Sequence, residues 1–260
     1  MFGEPPEVLV EMEAASVGAG DAVGGPWVRG VDWVVRAGEA WVLAGPMSAG
    51  KSALLETVAG LRVLAAGRLH VMGQQWEGLE GDDLVSLRRR VGLVFEGRGR
   101  VFPGLTVFEN VALPLCYHGN ATPSAVETEV AAWLADAGLS RWAMEAAGRL
   151  NPAWARRVAL IRALVLRPDL LLLDDPLAGL DPSHVRWWQD YLDGLRQGCP
   201  MLGGRGLTLA MTATTPSAMP DWGAQARCAW MDQGQWRDVG RLSDLASLNQ
   251  PWLAGTATHG

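Results

Sequence analysis

The sequence predicts an α/β chain with a parallel sheet covered by helices on both faces. Three observations predict it. Short apolar runs (AWVLAG at 40–45, VGLVFE at 91–96, LLLLDD at 170–175) read as buried strands by length and composition. Between them lie stretches of helical period, SALLETVAGL at 52–61 and SHVRWWQDYLDGLRQ at 183–197. Strands that alternate with helices imply parallel pairing with both sheet faces covered.

Taken in chain order, residues 7–36 alternate loosely (EVLVEMEA, then WVRGVDWVV) around a Gly-rich link at 18–25, and read as short antiparallel strands. The strand at 40–45 runs through GPMSAGKS into a helix that closes near Gly60. RLHVMG (68–73) reads as a strand, LVSLRRR (84–90) as a short helix, and VGLVFE as another strand. From about 105 to 165, Ala, Trp and Leu recur at helical spacing in SAVETEVAAWLADAGL and PAWARRVALIRALVL, which predicts a mostly helical insert. After LLLLDD come a helix, the strand LTLAMTA (207–213), a hairpin around Gly234, and a tail. The expected organisation is one domain over 1–260. Its parts are an antiparallel piece at about 7–36, a core from 40–95 and 166–240, a helical subdomain at about 96–165, and a tail at 241–260.

Bulk properties exclude several classes. With 49% hydrophobic and 19% charged residues, the 260-residue chain is long and apolar enough for a substantial core. A formal charge of −6 argues against a nucleic-acid binder held by phosphate contacts, and the runs RRR (88–90) and RGR (98–100) read as solvated surface. No run of about 18 apolar residues is present, so no membrane span is expected. The first ten residues, MFGEPPEVLV, carry no secretion pattern. Three cysteines without CxxC spacing suggest reduced thiols in the cytosol, and four scattered histidines give no metal cluster. Thirteen tryptophans without a periodic stripe read as packing.

One count points to chemistry. Lys and Arg together number 22, yet Lys51 is the only lysine. It stands in GPMSAGKS, which fits G-x-x-x-x-G-K-[ST] at every fixed position and lies between a strand and a helix, as that motif requires. Gly45 and Gly50 permit a loop whose amides, across Pro46, Met47, Ser48 and Ala49, form an anion nest. The helix beginning near Lys51 adds its positive end. Lys51 offers a compact charge to β/γ phosphates, and Ser52 a hydroxyl to Mg²⁺. The expected ligands are therefore ATP and Mg²⁺ on a P-loop NTPase (RecA-like) core. In LLLLDD the leucines belong in the sheet and the two carboxylates at its carboxyl end, where open α/β sheets bind ligands. Asp174 would hold Mg²⁺ through water, and Asp175 would stand where attacking water is polarised.

With these residues in view, the chain resembles the ATP-binding subunits of ABC transporters over nearly its whole length. The resemblance is carried by GPMSAGKS, by VGLVFEGRGRVFPGLTVFENVALPL (91–115) and by RRVALIRALVLRPDLLLLDDPLAGLDP (156–182). The stretch from LRRRVGLVF to LTVFENVALPL is most similar to the Mla/Mkl group, which implies lipid transport. The resemblance implies a separate membrane permease, a homo- or heterodimer with another such ATPase subunit, and a position on the cytoplasmic face of the cell membrane. It also implies nucleotide contacts by Glu96, Asn151 and Asp181, with Glu96 joining Ser52 and Asp174 around the metal and Asp175 as the catalytic carboxylate.

The chain departs from the family pattern at four positions. Glu96 stands where the family has glutamine, and adds negative charge near the γ-phosphate. Asp175 replaces a glutamate one methylene longer. LNPAW (150–154) stands at the LSGGQ-type signature, so Pro152 removes an amide and Ala153 restricts the loop; Asn-Pro is equally a good helix start. Ala213 stands at the switch histidine, leaving Thr212, Thr214 or Thr215 as substitutes. No aromatic falls at the adenine-stacking position near Val17, and Trp27 comes too late. The expectation is firm ATP binding with slow hydrolysis, or a regulatory half that pairs with a competent subunit. A P-loop kinase is opposed by the helical insert and GLDP, and a DNA-repair ATPase by the acidic balance and short length.

Overall fold

The computed structural model describes residues 6–18, 26–119, 121–214, 222 and 226–248. Nine strands form one mixed sheet. Its parallel part is built from β3 (Ala40–Ala44), β5 (Val91–Val94), β6 (Leu170–Leu173), β7 (Thr208–Ala213) and β8 (Arg227–Asp232). β9 (Gln235–Arg241) folds back antiparallel on β8, the expected hairpin around Gly234. β1 (Val8–Gly18), β2 (Pro26–Arg36) and β4 (Ala66–Val71) form the antiparallel part. The order is β4-β1-β2-β9-β8-β3-β7-β6-β5, and one parallel pair, Arg29 with Gln235, joins the two parts.

Two expectations are amended. The segment 7–36 makes two eleven-residue strands and not several short ones. β1 stays paired over that length by bulging between Met12 and Ala15, where the left-handed Ala14 donates its amide to Asp32 Oδ1 at 2.7 Å. The strand from RLHVMG pairs with β1, so it completes the antiparallel part and lies apart from the parallel sheet.

The leucine run shows how the core is divided. Side chains of successive strand residues point to opposite faces. Leu171 and Leu173 of β6, with Val42 and Ala44 of β3, join the apolar layer that also contains α3 (Val107–Gly119), α4 (Glu127–Asp136), α5 (Pro152–Leu164) and α6 (Pro182–Gly198). Leu170 and Leu172, with Trp41 and Leu43, join the layer under α1 (Lys51–Val58) and the β1–β2 pair. All four leucines are fully buried, as a parallel strand covered on both faces requires. α2 (Gly81–Arg90) leads directly into β5. The tryptophans serve packing where they are deepest: Trp33, Trp41, Trp133 and Trp188 are among the largest fully buried side chains. Residues 242–248 form a 3₁₀ stretch that buries Leu245. The remainder of the expected tail, 249–260, the side chain of Trp27, and Thr215 lie outside the described residues.

Candidate nucleotide site

The site forms where β3, β5, β6 and β7 end together at their carboxyl edge. The loop from Gly45 to Gly50 joins β3 to α1. Gly45 is required by crowding: a Cβ there would stand 2.0 Å from the Met231 carbonyl oxygen of β8. Its own amide donates to Ala213 O at 3.3 Å, so Gly45 anchors the loop to the sheet and does not offer its N–H to a ligand. Ala49 N–H is likewise turned onto Pro46 O, and Pro46 has no amide to give. Gly50 adopts a left-handed conformation (φ 92°) at the N-cap, which turns the chain into α1. The amides of the first turn of α1 have no intrahelical acceptor. Together with Met47, whose side chain is exposed, and Ser48, held at φ 64°, they form the anion-facing part of the loop.

Lys51 is only 5% exposed. Its Nζ donates to Gly45 O at 2.8 Å and Pro46 O at 2.7 Å, which leaves one of three ammonium donors for a ligand. Burial holds its pKa below the usual lysine range, opposed by the charges of Asp175, Asp174 and Glu96. Ser52 Oγ donates to Asp174 Oδ1 at 3.0 Å, which places the hydroxyl and carboxylate expected at Mg²⁺ side by side. Burial raises the Asp174 pKa; hydrogen bonds from Thr212 and Ser52 oppose this, while Glu96 and Asp175 add to it.

Thr212 connects the two aspartates. Its Oγ1 donates to Asp174 Oδ1 at 2.9 Å and accepts from Asp175 N at 2.7 Å. The hydroxyl is fully buried and used by the two aspartates, which corrects its place among the substitutes for a switch histidine. Ala213 is also fully buried and brings no polar side-chain atom. Thr214 follows at the end of β7, half-buried. Asp175 adopts a left-handed backbone (φ 43°), and its buried Oδ1 has no hydrogen-bond partner among the described residues. In native proteins such an orphaned oxygen calls for a partner from outside the chain.

Glu96 lies just beyond β5 and is exposed, yet its charge acts on Lys51, Asp174 and the buried Arg156. The structure thus gathers Lys51, Ser52, Glu96, Asp174 and Asp175. Among the described residues, Asn151 and Asp181 share no hydrogen bond or ion pair with that cluster. Each caps a helix: Asn151 Oδ1 accepts from Trp154 N at 3.0 Å at the start of α5. Asp181 Oδ1 accepts from Ser183 N at 2.9 Å and His184 N at 3.1 Å at the start of α6. The hydrogen bond from Ser183 and those caps hold the Asp181 carboxyl below its usual range.

Two buried arginines escaped the sequence reading. Arg156 donates to the backbone carbonyls of Gly97, Pro176 and Ala178. Arg157 lies between the Trp154 and Trp187 rings, at 4.4 and 3.7 Å from their centroids, and pairs with His184 Nδ1 at 2.9 Å, so it ties the start of α5 to α6. Burial pushes its pKa down to about 10. The only sequence signal for either was an Arg pair inside an otherwise apolar helix.

The residues present fit a Mg²⁺–triphosphate. Three carboxylates act on two cations, one Asp oxygen lacks a partner among the described residues, and the loop leaves amides and an ammonium donor for anionic oxygens.

Comparison with known proteins gives the family. The profile of the ABC transporter family matches residues 28–178, more than half of the chain. The methionine import ATP-binding protein MetN of Caulobacter vibrioides is 36% identical over 175 residues, 67% of this chain and 52% of that protein. The molybdenum import ATP-binding protein ModC of Mycobacterium tuberculosis is 31% identical over 221 residues, 83% of this chain and 57% of that protein. The chain therefore spans about half the length of these curated relatives. The lipoprotein-releasing system ATP-binding protein LolD of a Ruegeria species is 38% identical over 60% of this chain and 68% of its own. The dimeric ATP-binding cassette MJ0796, in a post-hydrolysis state with ADP and Pi, superposes with a TM-score of 0.76 at 23% identity, covering 88% of this chain and 98% of that one; the likeness is one of fold. From the motif, the site and these matches together, the chain belongs to the ABC transporter family.

Proposed function

We propose that this chain is the ATP-binding subunit of an ABC transporter, binding Mg·ATP at the loop 45–52 and coupling that binding to a separate membrane permease. The observation that carries the reading is the buried Lys51 ammonium, held by its own loop beside the Ser52–Asp174 pair. In this reading the backbone of Gly45, Pro46, Met47, Ser48, Ala49 and Gly50 shapes the phosphate cradle, and Lys51 meets the phosphates. Ser52, Asp174 and Glu96 surround the metal. Asp175 orients water, while Asn151 and Asp181 meet the nucleotide of a facing subunit. Bound Mg²⁺ would supply charge neutralisation and Lewis-acid polarisation of the phosphoryl oxygens. The proposed unit is a single domain, with the antiparallel strands and the helical insert as its parts.

Slow hydrolysis is part of the proposal. Asp175 is one methylene short, and a misplacement of about 1 Å costs on the order of 10²-fold in rate. At the start of α5, Pro152 has no amide and the Trp154 amide is taken by Asn151, so few donors remain for a second nucleotide. A regulatory half that pairs with a competent subunit is the second reading, and the same two observations favour it.

We place the permease contact of this proposal on an exposed groove. Phe102, Leu113 and Tyr117 are exposed and line, with Arg88 and Arg89, one groove between β5, α3 and α5. No helix among the described residues is long and apolar enough to cross a membrane. The chain would lie at the cytoplasmic side of the cell membrane. Names of relatives range from methionine and molybdenum import to lipoprotein release, and the lipid reading rests on the resemblance of residues 87–115 alone. Calorimetry of the full chain with Mg·ATP tests the reading. Micromolar uptake lost in Lys51→Ala supports it, and no uptake by the unsubstituted chain refutes it. Turnover alone and with co-purified partners separates the motor from the regulatory half.

A further inference from the structure

Arg156 lies in the first half of α5 and is 5% exposed. A guanidinium buried so far costs free energy unless its donors are used and its charge is answered. The donors are used: Nε reaches Gly97 O at 2.8 Å, and Nη1 reaches Pro176 O at 2.6 Å and Ala178 O at 2.9 Å. These carbonyls stand on two loops. One leaves β5 directly after Glu96, and the other leaves β6 directly after Asp175. One side chain therefore ties the two acidic loops to each other and to α5.

The charge is not answered in the same way. Among the described residues Arg156 forms no ion pair. Its guanidinium feels attraction from Asp175 and from Glu96 without touching either. Carbonyl acceptors alone would be served by a neutral amide side chain. A full positive charge, held against the loops that follow Glu96 and Asp175, acts on those two carboxylates.

We propose that Arg156 is a positioning residue of the nucleotide site: through three backbone carbonyls it clamps the Glu96 and Asp175 loops, and it offsets the negative charge that those carboxylates present to a triphosphate. The inference rests on the nucleotide reading above. It explains how a site with Glu96 added to Asp174 and Asp175 accepts an anion with only one lysine in the chain.

The test is a double-mutant cycle on the full chain. Mg·ATP affinity is measured by calorimetry for the unsubstituted protein, Arg156→Gln, Glu96→Gln and the double variant, with a thermal midpoint for each. Arg156→Gln is expected to weaken binding about tenfold, and no more than about threefold once Glu96 is already Gln, the non-additivity of a coupled charge pair. Arg156→Lys, which keeps the charge, stays within about threefold of the unsubstituted chain. Equal losses in both backgrounds overturn the proposal, as does a Lys variant as weak as Gln with an unchanged midpoint. If Arg156→Gln does not fold, Arg156→Lys in both backgrounds decides: near-native affinity supports the charge role, and a large loss refutes it. An unsubstituted chain that takes up no Mg·ATP removes the nucleotide reading itself, and this proposal with it. Uptake without coupling removes only Arg156.

Discussion

Thr212→Val changes almost no volume and removes one hydroxyl. That hydroxyl is fully buried and holds two groups at once, the Asp175 amide at 2.7 Å and Asp174 Oδ1 at 2.9 Å. Valine leaves a buried N–H without its acceptor, at about 1–2 kcal/mol. It also strips a charge-assisted bond from a buried carboxylate, worth about 1.5–3 kcal/mol in such settings. Ser52 still donates to that oxygen and softens the second loss. The total is about 3 kcal/mol, which for a chain of this size lowers the thermal midpoint by roughly 6–12 °C. Asp175 carries strained backbone (φ 43°), so loss of its amide anchor also frees the carboxylate to move, and Mg·ATP affinity falls with stability. The assay is thermal unfolding of the ligand-free protein together with calorimetry, for Thr212→Val and Thr212→Ser. Serine keeps the hydroxyl and is expected to restore most of both. A valine variant within about 0.5 kcal/mol of the parent, the scatter of ordinary surface changes, would refute the assignment of Thr212 as the link between the aspartates.

The other predictions concern the same pocket. Gly45→Ala forces a Cβ to 2.0 Å from Met231 O, so the loop must shift; a destabilisation of at least about 2 kcal/mol with loss of Mg·ATP uptake is expected in melts and calorimetry. Asp174 has a raised native pKa, so its contribution to stability is present below the model-peptide value and is lost as pH rises through the native one. At pH 7 the ionised carboxylate is thus a cost, and Asp174→Asn should stabilise the ligand-free chain by about 1 kcal/mol while abolishing Mg²⁺-dependent binding. A variant less stable than the parent at pH 7 would contradict that sign. Lys51 has a lowered native pKa, so between that value and 10.5 the unfolded chain binds more protons and stability rises with pH. Lys51→Met should flatten that rise in pH-dependent melts. On the proposed function, Asp175→Glu adds one methylene, and a gain in ATP turnover of about tenfold or more is expected in a phosphate-release assay with co-purified partners; unchanged turnover refutes the role given to the shorter side chain.

The amino-acid sequence determined on its own whatever nearest neighbours along the chain encode. The loop 45–52, its flanking strand and helix, the four-leucine strand and the Asn-Pro helix start all depend on residues within a few positions of one another, and each is where periodicity and motif put it. Lys51 stood out as the only lysine in a chain otherwise supplied by arginine, and the structure buries it within the loop 45–52. Tertiary structure alone decided which distant groups meet. The partner of β4, the crowding of Gly45 against β8, and the bridge that Thr212 makes from β7 to β6 join residues dozens of positions apart. Arg156 and Arg157 show the reason most plainly. Adjacent in sequence and alike in chemistry, they are sent by the 100° step of a helix to two different places, one against the loops that follow Glu96 and Asp175 and the other between two tryptophans. What a buried charge does depends on the loops that come to surround it, and no local pattern records them.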